Sequence, residues 1–309
     1  MHCSRRCREL KMHSTLTRNH FLLALLVVAI WGSNFVVIRL ALNHLPPLFF
    51  ATLRFALVFF PLAFFIKRPA VSWANLASYG LLIGVGQFGL MFIAMKGHIS
   101  PGITSLVMQL QVFVTIGISV FRGSERLRLF QYVALSLAVF GLAIIAYYGG
   151  GSATPLGLLL TICAAVSWGV ANIVNRAAGK IDMLAYVVWA AMFAILPLFI
   201  LSLIFEGWQA DWVGLQQADA LTWAAVLWQS VANTMFGYGV WGWLLARYPA
   251  ATVTPLALLV PIFGMSSSAF FLGEALPAWK IIAAGLVLAG LAVNLFWPRL
   301  AQKSYSQIR

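Results

Sequence analysis

Acidic side chains are scarce in this chain: seven Asp and Glu among 309 residues, against 20 Lys and Arg, so that charged residues make up only 9% of it. A soluble domain carries about 25%, and the shortfall argues against a surface that faces water throughout. It also excludes most chemistry. The five histidines (2, 13, 20, 44 and 98) fall at the N-terminus, at segment edges or in loops, and no Asp or Glu interrupts the interior of an apolar stretch. A nucleophile–base or paired-carboxylate site therefore has no material: the chain is not expected to be an enzyme, to have catalytic residues or to hold a cofactor. Three cysteines (Cys3, Cys7 and Cys163) supply no disulfide framework, and His2, Cys3 and Cys7 lack the spacing of a metal-ligand pattern, so no metal is expected either. No G-x-x-x-x-G-K-[ST] loop is present, so ATP does not drive the protein from within the chain.

What the chain does have is oil. It is 62% hydrophobic with a mean hydropathy of +0.93. Residues 69–95, 129–175, 183–205, 220–246, 248–273 and 281–298 contain no Asp, Glu, Lys or Arg. A bilayer core of ~30 Å takes roughly 20 apolar residues as helix, and Gly149–Pro155 (GGGSATP) divides the longest run in two. Gly, Pro and charge clusters then punctuate ten spans: 21–42, 47–66, 74–95, 100–121, 129–148, 155–175, 183–205, 221–245, 250–271 and 279–297. The expected fold is all-α and integral to the membrane, with ten transmembrane helices. The first span is too long, and lacks the small-residue cleavage site, for a removable signal peptide. Residues 1–11 precede Met12, itself a plausible start.

The net charge of +13 is a matter of topology rather than of a nucleic-acid partner. With the N-terminus inside, 16 Lys and Arg lie in cytoplasmic segments and two, Lys96 and Lys280, in outer loops. Such a bias sets orientation, so both termini are expected in the cytoplasm. Residues 1–20 and 298–309 then form basic cytoplasmic tails, and the lipid bilayer is the main partner.

The two halves align. Trp31–Ala41 (WGSNFVVIRLA) lies over Trp168–Ala178 (WGVANIVNRAA), and Pro61 over Pro197. An offset of 149 matches 100–148 with 249–297, pairing Ser119 with Ser268, Glu125 with Glu274, and Gly141-Leu142-Ala143 with Gly290-Leu291-Ala292. Five spans per repeat is an odd number, so the second copy (155–297) must insert upside down relative to the first (21–148). Inverted repeats around a midplane site are common in secondary transporters, although channels and some membrane enzymes carry them too.

Polar residues inside spans are functional candidates by default. Arg54 stands seven residues into PPLFFATLRFALVFFPLAFF (46–65), and no carboxylate occupies a span to pair with it. Two readings stand: an arriving anionic group is its partner, or it snorkels or bonds carbonyls at a helix break. Arg39 and Arg176, near span ends, read as snorkelling anchors. Glu125 and Glu274, each just past a helix end, read as caps or loop ligands rather than proton carriers. The amides Asn34, Gln87, Gln109, Gln111, Asn172, Asn175 and Asn233 lie within spans; singly they could glue helices together. As a set with Trp31, Trp168 and Tyr238 they suit a cavity for a zwitterion, with Arg54 on the carboxylate and Asn34, Gln109, Gln111, Trp168 and Asn172 lining the path. Gln109 and Gln111 are about 200° apart on a helix, so at most one faces such a cavity. Glycines 80, 84, 86 and 89 in span three, and 237, 239 and 242 in span eight, permit close packing or hinge motion.

Three blocks, 31–55, 105–127 and 236–274, resemble the EamA-type transporters of the drug/metabolite transporter superfamily, and the resemblance extends over residues 20–298. It implies two five-helix EamA repeats, a bacterial inner-membrane location and efflux of a small-molecule substrate. Members that export cysteine and O-acetylserine are the most similar in kind, so small amino acids or their derivatives are the expected cargo, moved by a monomer or homodimer. Relatives on the same scaffold export drugs or other metabolites, which is the alternative reading.

Overall fold

The computed structural model describes residues 16–122, 128–248 and 250–306. All of its elements are helices apart from one isolated bridge, Ile99 to Ala153. Glu125 and the trio His2, Cys3 and Cys7 lie outside the described residues.

The helix starts follow from local chemistry. α1 (Arg18–Ala41) begins after Thr17, whose hydroxyl accepts from the His20 amide. α2 (Pro47–Ala63) and α4 (Pro101–Phe121) each open on a proline, which suits a first turn whose amides have no partner. Between them, α3 (Trp73–Met95) is capped by Ser72. α5 (Leu129–Tyr148) is followed by α6 (Pro155–Ala177), capped by Thr154, and by α7 (Met183–Phe205), capped by Asp182. A short helix, α8 (Trp208–Gln217), precedes α9 (220–247), where the Asp219 carboxylate accepts from the Thr222 amide at 2.8 Å. α10 (250–272) and α11 (Ala278–Ser306) complete the chain. Such side-chain acceptors satisfy amides that a helix start leaves free.

Eight of these helices are long and apolar enough to cross a membrane, and α2 is a shorter apolar helix. Their bounds fall within a few residues of the expected spans, with two corrections. Residues 208–217, expected as loop, are helical, and α11 continues past 297 to Ser306. Exposed side chains such as Phe64, Phe121 and Phe270 are the kind of surface that lipid covers.

The strongest helix–helix contacts all join a helix before residue 150 to one after 154, among them α5 with α11, α3 with α6, α1 with α10, and α2 with α7. Small residues allow this. A Cβ on Gly141 would come within 2.9 Å of the Ala283 carbonyl, and one on the sequence-matched Gly290 within 2.5 Å of the Ala134 carbonyl, so α5 and α11 meet backbone to backbone. Two helices have a π-helical stretch midway: α3 over Leu82–Gly89 and α9 over Trp228–Phe236. π segments are rare and concentrate at functional sites.

The charged ends of the bundle differ. Four carboxylates, Glu206, Asp211, Asp219 and Glu274, lie at the end where α1 finishes and α2 begins, called here the acidic end.

Candidate functional site

Arg54 sits between the two π segments. Its Cζ lies 3.5 Å from the ring centroid of Phe88 in α3, and its Nη2 donates to Thr234 Oγ1 in α9 at 3.2 Å. The Thr234 hydroxyl proton goes to the Gln229 carbonyl (2.9 Å), and the Ser230 hydroxyl donates to the Arg54 carbonyl (3.2 Å) or to that of Val226 (3.1 Å). The arginine is 1% exposed. A desolvated cation–π contact contributes about 2 kcal/mol or more, which offsets only part of the several kcal/mol that burying an ion costs. No carboxylate is paired with it, and Nε and Nη1 have no partner among the described residues.

Its neighbours in depth are amides. Counting from the acidic end of each helix, Asn34 and Arg54 are seven residues in, Gln87 and Gln109 eight, and Gln229 nine. At 1.5 Å per residue these side chains form one layer about 10–14 Å deep. Gln229 is fully buried, and its Nε2 donates to Asn34 Oδ1 at 2.6 Å. That leaves Gln229 Oε1 unpartnered, as is Gln87 Oε1. Most buried polar atoms are satisfied, so two orphaned guanidinium nitrogens, two orphaned amide oxygens and the orphaned indole Nε1 of Trp228 at one depth form an unusual concentration. Trp31 and Tyr238 adjoin it: the indole Nε1 donates to the Asn233 carbonyl at 3.1 Å, and the ring centroids are 5.7 Å apart.

The expected site residues divide into two groups. Arg54, Asn34 and Gln109 belong to the layer, although Asn34 serves Gln229, and Gln109 ends the turn that interrupts α4. Gln111 and Asn172 are spent on each other: Asn172 Nδ2 donates to Gln111 Oε1 at 2.6 Å and to Thr115 Oγ1 at 3.2 Å, tying α6 to α4. Half-buried Trp168 packs against the core beside them. Gln229 is the residue the sequence reading missed. The available signal was an uncharged amide inside a span at the depth of Arg54.

The acidic end carries two carboxylate knots. Glu274 accepts from the Lys280 ammonium at 2.8 Å, from the Gly102 amide at 3.1 Å, and from the hydroxyls of Ser100 and Ser268. Burial, the largest influence, pushes its carboxyl up, but the bonds from Lys280, Ser100 and Ser268 together hold it below the ordinary glutamate value. Glu206 accepts from the amides of Leu48 (2.8 Å) and Phe49 (3.1 Å) at the start of α2. Here burial prevails over those bonds and raises the carboxyl, as it raises that of Asp211 nearby. A cavity of about 540 Å³ opens at this end, with Arg39, His98, Ser100 and Glu274 in its wall and none of the Arg54 layer. Arg39 is held there by Asn43 at 3.0 Å, and Arg176, at the other end, bonds Ser119 at 3.3 Å, so each has a polar partner besides solvent.

The sequence model of the EamA-like transporter family matches this chain over residues 19–147 and again over 155–296. A Salmonella typhimurium protein described as "Probable amino-acid metabolite efflux pump" is 41% identical over 287 residues, covering 91% of this chain and 96% of that one. An Escherichia coli K12 protein of the same description is 39% identical with the same coverage. A solved crystal structure aligns with a TM-score of 0.62 at 18% identity, over 93% of this chain and 99% of its own, which supports the fold alone.

Proposed function

The chain belongs to the EamA-like transporter family, and from that premise we propose that it exports small amino acids or their derivatives, cysteine and O-acetylserine among them. It does so by alternating access between two inverted five-helix repeats, 21–148 and 155–297. The ten helices cross a bacterial inner membrane with both termini in the cytoplasm, and the acidic end faces outward. The positive-inside bias of the loops supports that orientation.

The observation that carries the substrate class is Arg54: a buried cation with two unpartnered nitrogens and no protein carboxylate beside it. Its natural complement is a carboxylate that arrives and leaves, since a permanent one would neutralise the site. A guanidinium binds a carboxylate through paired N–H donors; each such fork pairs Nη2 with Nε or with Nη1, and Nη2 has a second N–H besides the one directed at Thr234. The names of the relatives point to the same class of cargo. A cationic drug would meet repulsion at this depth.

The test is export of labelled amino acids, cysteine and O-acetylserine included, from cells with matched amounts of the wild type or Arg54→Gln. Saturable export by the wild type and a loss of about tenfold or more in the variant are expected, since charge-assisted bonds contribute about 1.5–3 kcal/mol. Unchanged export by the variant would return Arg54 to a structural role. Resistance to hydrophobic cations without amino-acid export would point to drug efflux.

A further inference from the structure

The atoms of the Arg54 layer that lack partners are of two kinds, and only one kind suits a carboxylate. Arg54 Nε and Nη1 and the indole Nε1 of Trp228 are donors, whereas Gln87 Oε1 and Gln229 Oε1 are acceptors. A substrate that was only an anion would leave both amide oxygens unsatisfied, at a cost of about 1–3 kcal/mol each. An α-ammonium group brings three N–H donors. We propose that Gln87 and Gln229 are the acceptors of the substrate's ammonium group, making the layer a site for the free amino acid rather than for carboxylates in general. This rests on the reading of Arg54 as the carboxylate's partner.

Both glutamines lie in π segments. Gln87 lies in the π segment of α3, next to Phe88 on which the guanidinium is stacked. Gln229 lies in the π segment of α9, and its own carbonyl accepts from the hydroxyl that Arg54 touches. The arginine is thus flanked from both sides by segments that each carry one free amide oxygen. One end of the Gln229 amide is engaged. Asn34 Oδ1 takes its Nε2 at 2.6 Å, so the carbonyl end is the one left over. Asn34 is then a positioning residue that acts through Gln229. Gln87 and Gln229 are 5% and 0% exposed, so bulk water does not compete for these oxygens. An amide oxygen also favours a neutral gate. A carboxylate here would pair with Arg54 and close the site to anions.

The experiment uses the purified full chain in liposomes. It measures KM for the best-carried amino acid of the panel and the inhibition constants of its N-acetyl and des-amino counterparts. In the wild type the free amino acid should bind best. Gln87→Leu and Gln229→Leu should each raise its KM about tenfold and leave the des-amino carboxylate within about twofold, whereas Arg54→Gln should weaken both. Asn34→Ala should follow Gln229→Leu with a smaller effect. Gln229→Met, close in size but without the acceptor, should raise the KM of the amino acid as Gln229→Leu does, and it reads the same point if the leucine variant does not fold. Equal weakening of all three ligands by the glutamine variants, or no change in any, would overturn the acceptor pair; the latter is the result if ordered water alone uses these oxygens. Lost discrimination in the glutamine variants with an unaffected Arg54→Gln would sink the carboxylate assignment instead.

Discussion

Glu206 and Glu274 perform the same structural task with opposite electrostatics. Each comes from the second half of the chain and binds amides at the start of a helix in the first half: Glu206 on α2, Glu274 on α4. A carboxylate there meets both free N–H groups and the positive end of the helix dipole. Glu274 also has Lys280, and the pair is almost fully buried. Among the described residues Glu206 has no ion pair; Lys96 and the like-charged Asp211 act on it through space. The presence of one ammonium group decides whether burial or hydrogen bonding controls the carboxyl.

The largest effect that separates them comes from removing that ammonium. Lys280→Met leaves Glu274 buried without its counter-charge, and loss of one partner of a buried pair costs about 3–5 kcal/mol. A marked drop in the unfolding temperature of the detergent-solubilised protein is expected, with substantial recovery in Glu274→Gln/Lys280→Met. A mild single variant would mean that the serines and the Gly102 amide suffice for Glu274. The next effect in size is Glu206→Ala, which removes a cap from α2 and should cost about 1–2 kcal/mol at neutral pH. A change as large as that of Lys280→Met would show that the unpaired knot matters equally and would break the comparison.

The parts legible in the sequence were those set by solvent and chain sterics. Lipid as solvent demands long apolar helices, and proline, glycine and capping residues mark their ends, so residues 129–148 and 183–205 were located to the residue. α8 was missed because WQADWVGLQQ has loop-like polarity in a protein whose other helices are oil. The site was legible one residue at a time. Arg54 stood out because a charge inside a span has few explanations, but the amides did not sort themselves. Whether Asn172 bonds Gln111 or meets a substrate depends on which helices pack together, and α4 lies against α6 for reasons of tertiary fit. The π segments have no sequence signature that separates them from α-helix, so the placement of Gln87 and Gln229 in them emerged only from the fold. Lys280 was read as an outer-loop charge and is instead a buried partner.

The smallest expected effect concerns a proton. Ser202 Oγ lies 2.7 Å from Glu206 Oε2 and 2.8 and 2.9 Å from the two oxygens of Asp211. One hydroxyl has one hydrogen, so it can donate to one carboxylate only, and the second contact requires a protonated carboxyl that donates to the serine. Asp211 is the better candidate, because Glu206 already accepts from two amides and is therefore the better solvated anion. Both carboxyls are raised, chiefly by burial. The folded state then binds protons more readily than the unfolded chain, and stability falls as pH rises from the ordinary carboxyl values through the raised ones. Glu274, held low, behaves in reverse: its contribution is present above the ordinary value and is lost as pH falls through the lowered one. Asp211→Asn retains a donor to Ser202 without a titrating proton. It should leave the unfolding temperature unchanged at acid pH, raise it slightly at alkaline pH, and flatten the slope between, while Glu274→Gln should lower it wherever Glu274 is ionised beside Lys280 and flatten the acid limb. A wild-type slope that Asp211→Asn does not change would locate the proton on Glu206, and the contrast between the two knots would then rest on Lys280 alone.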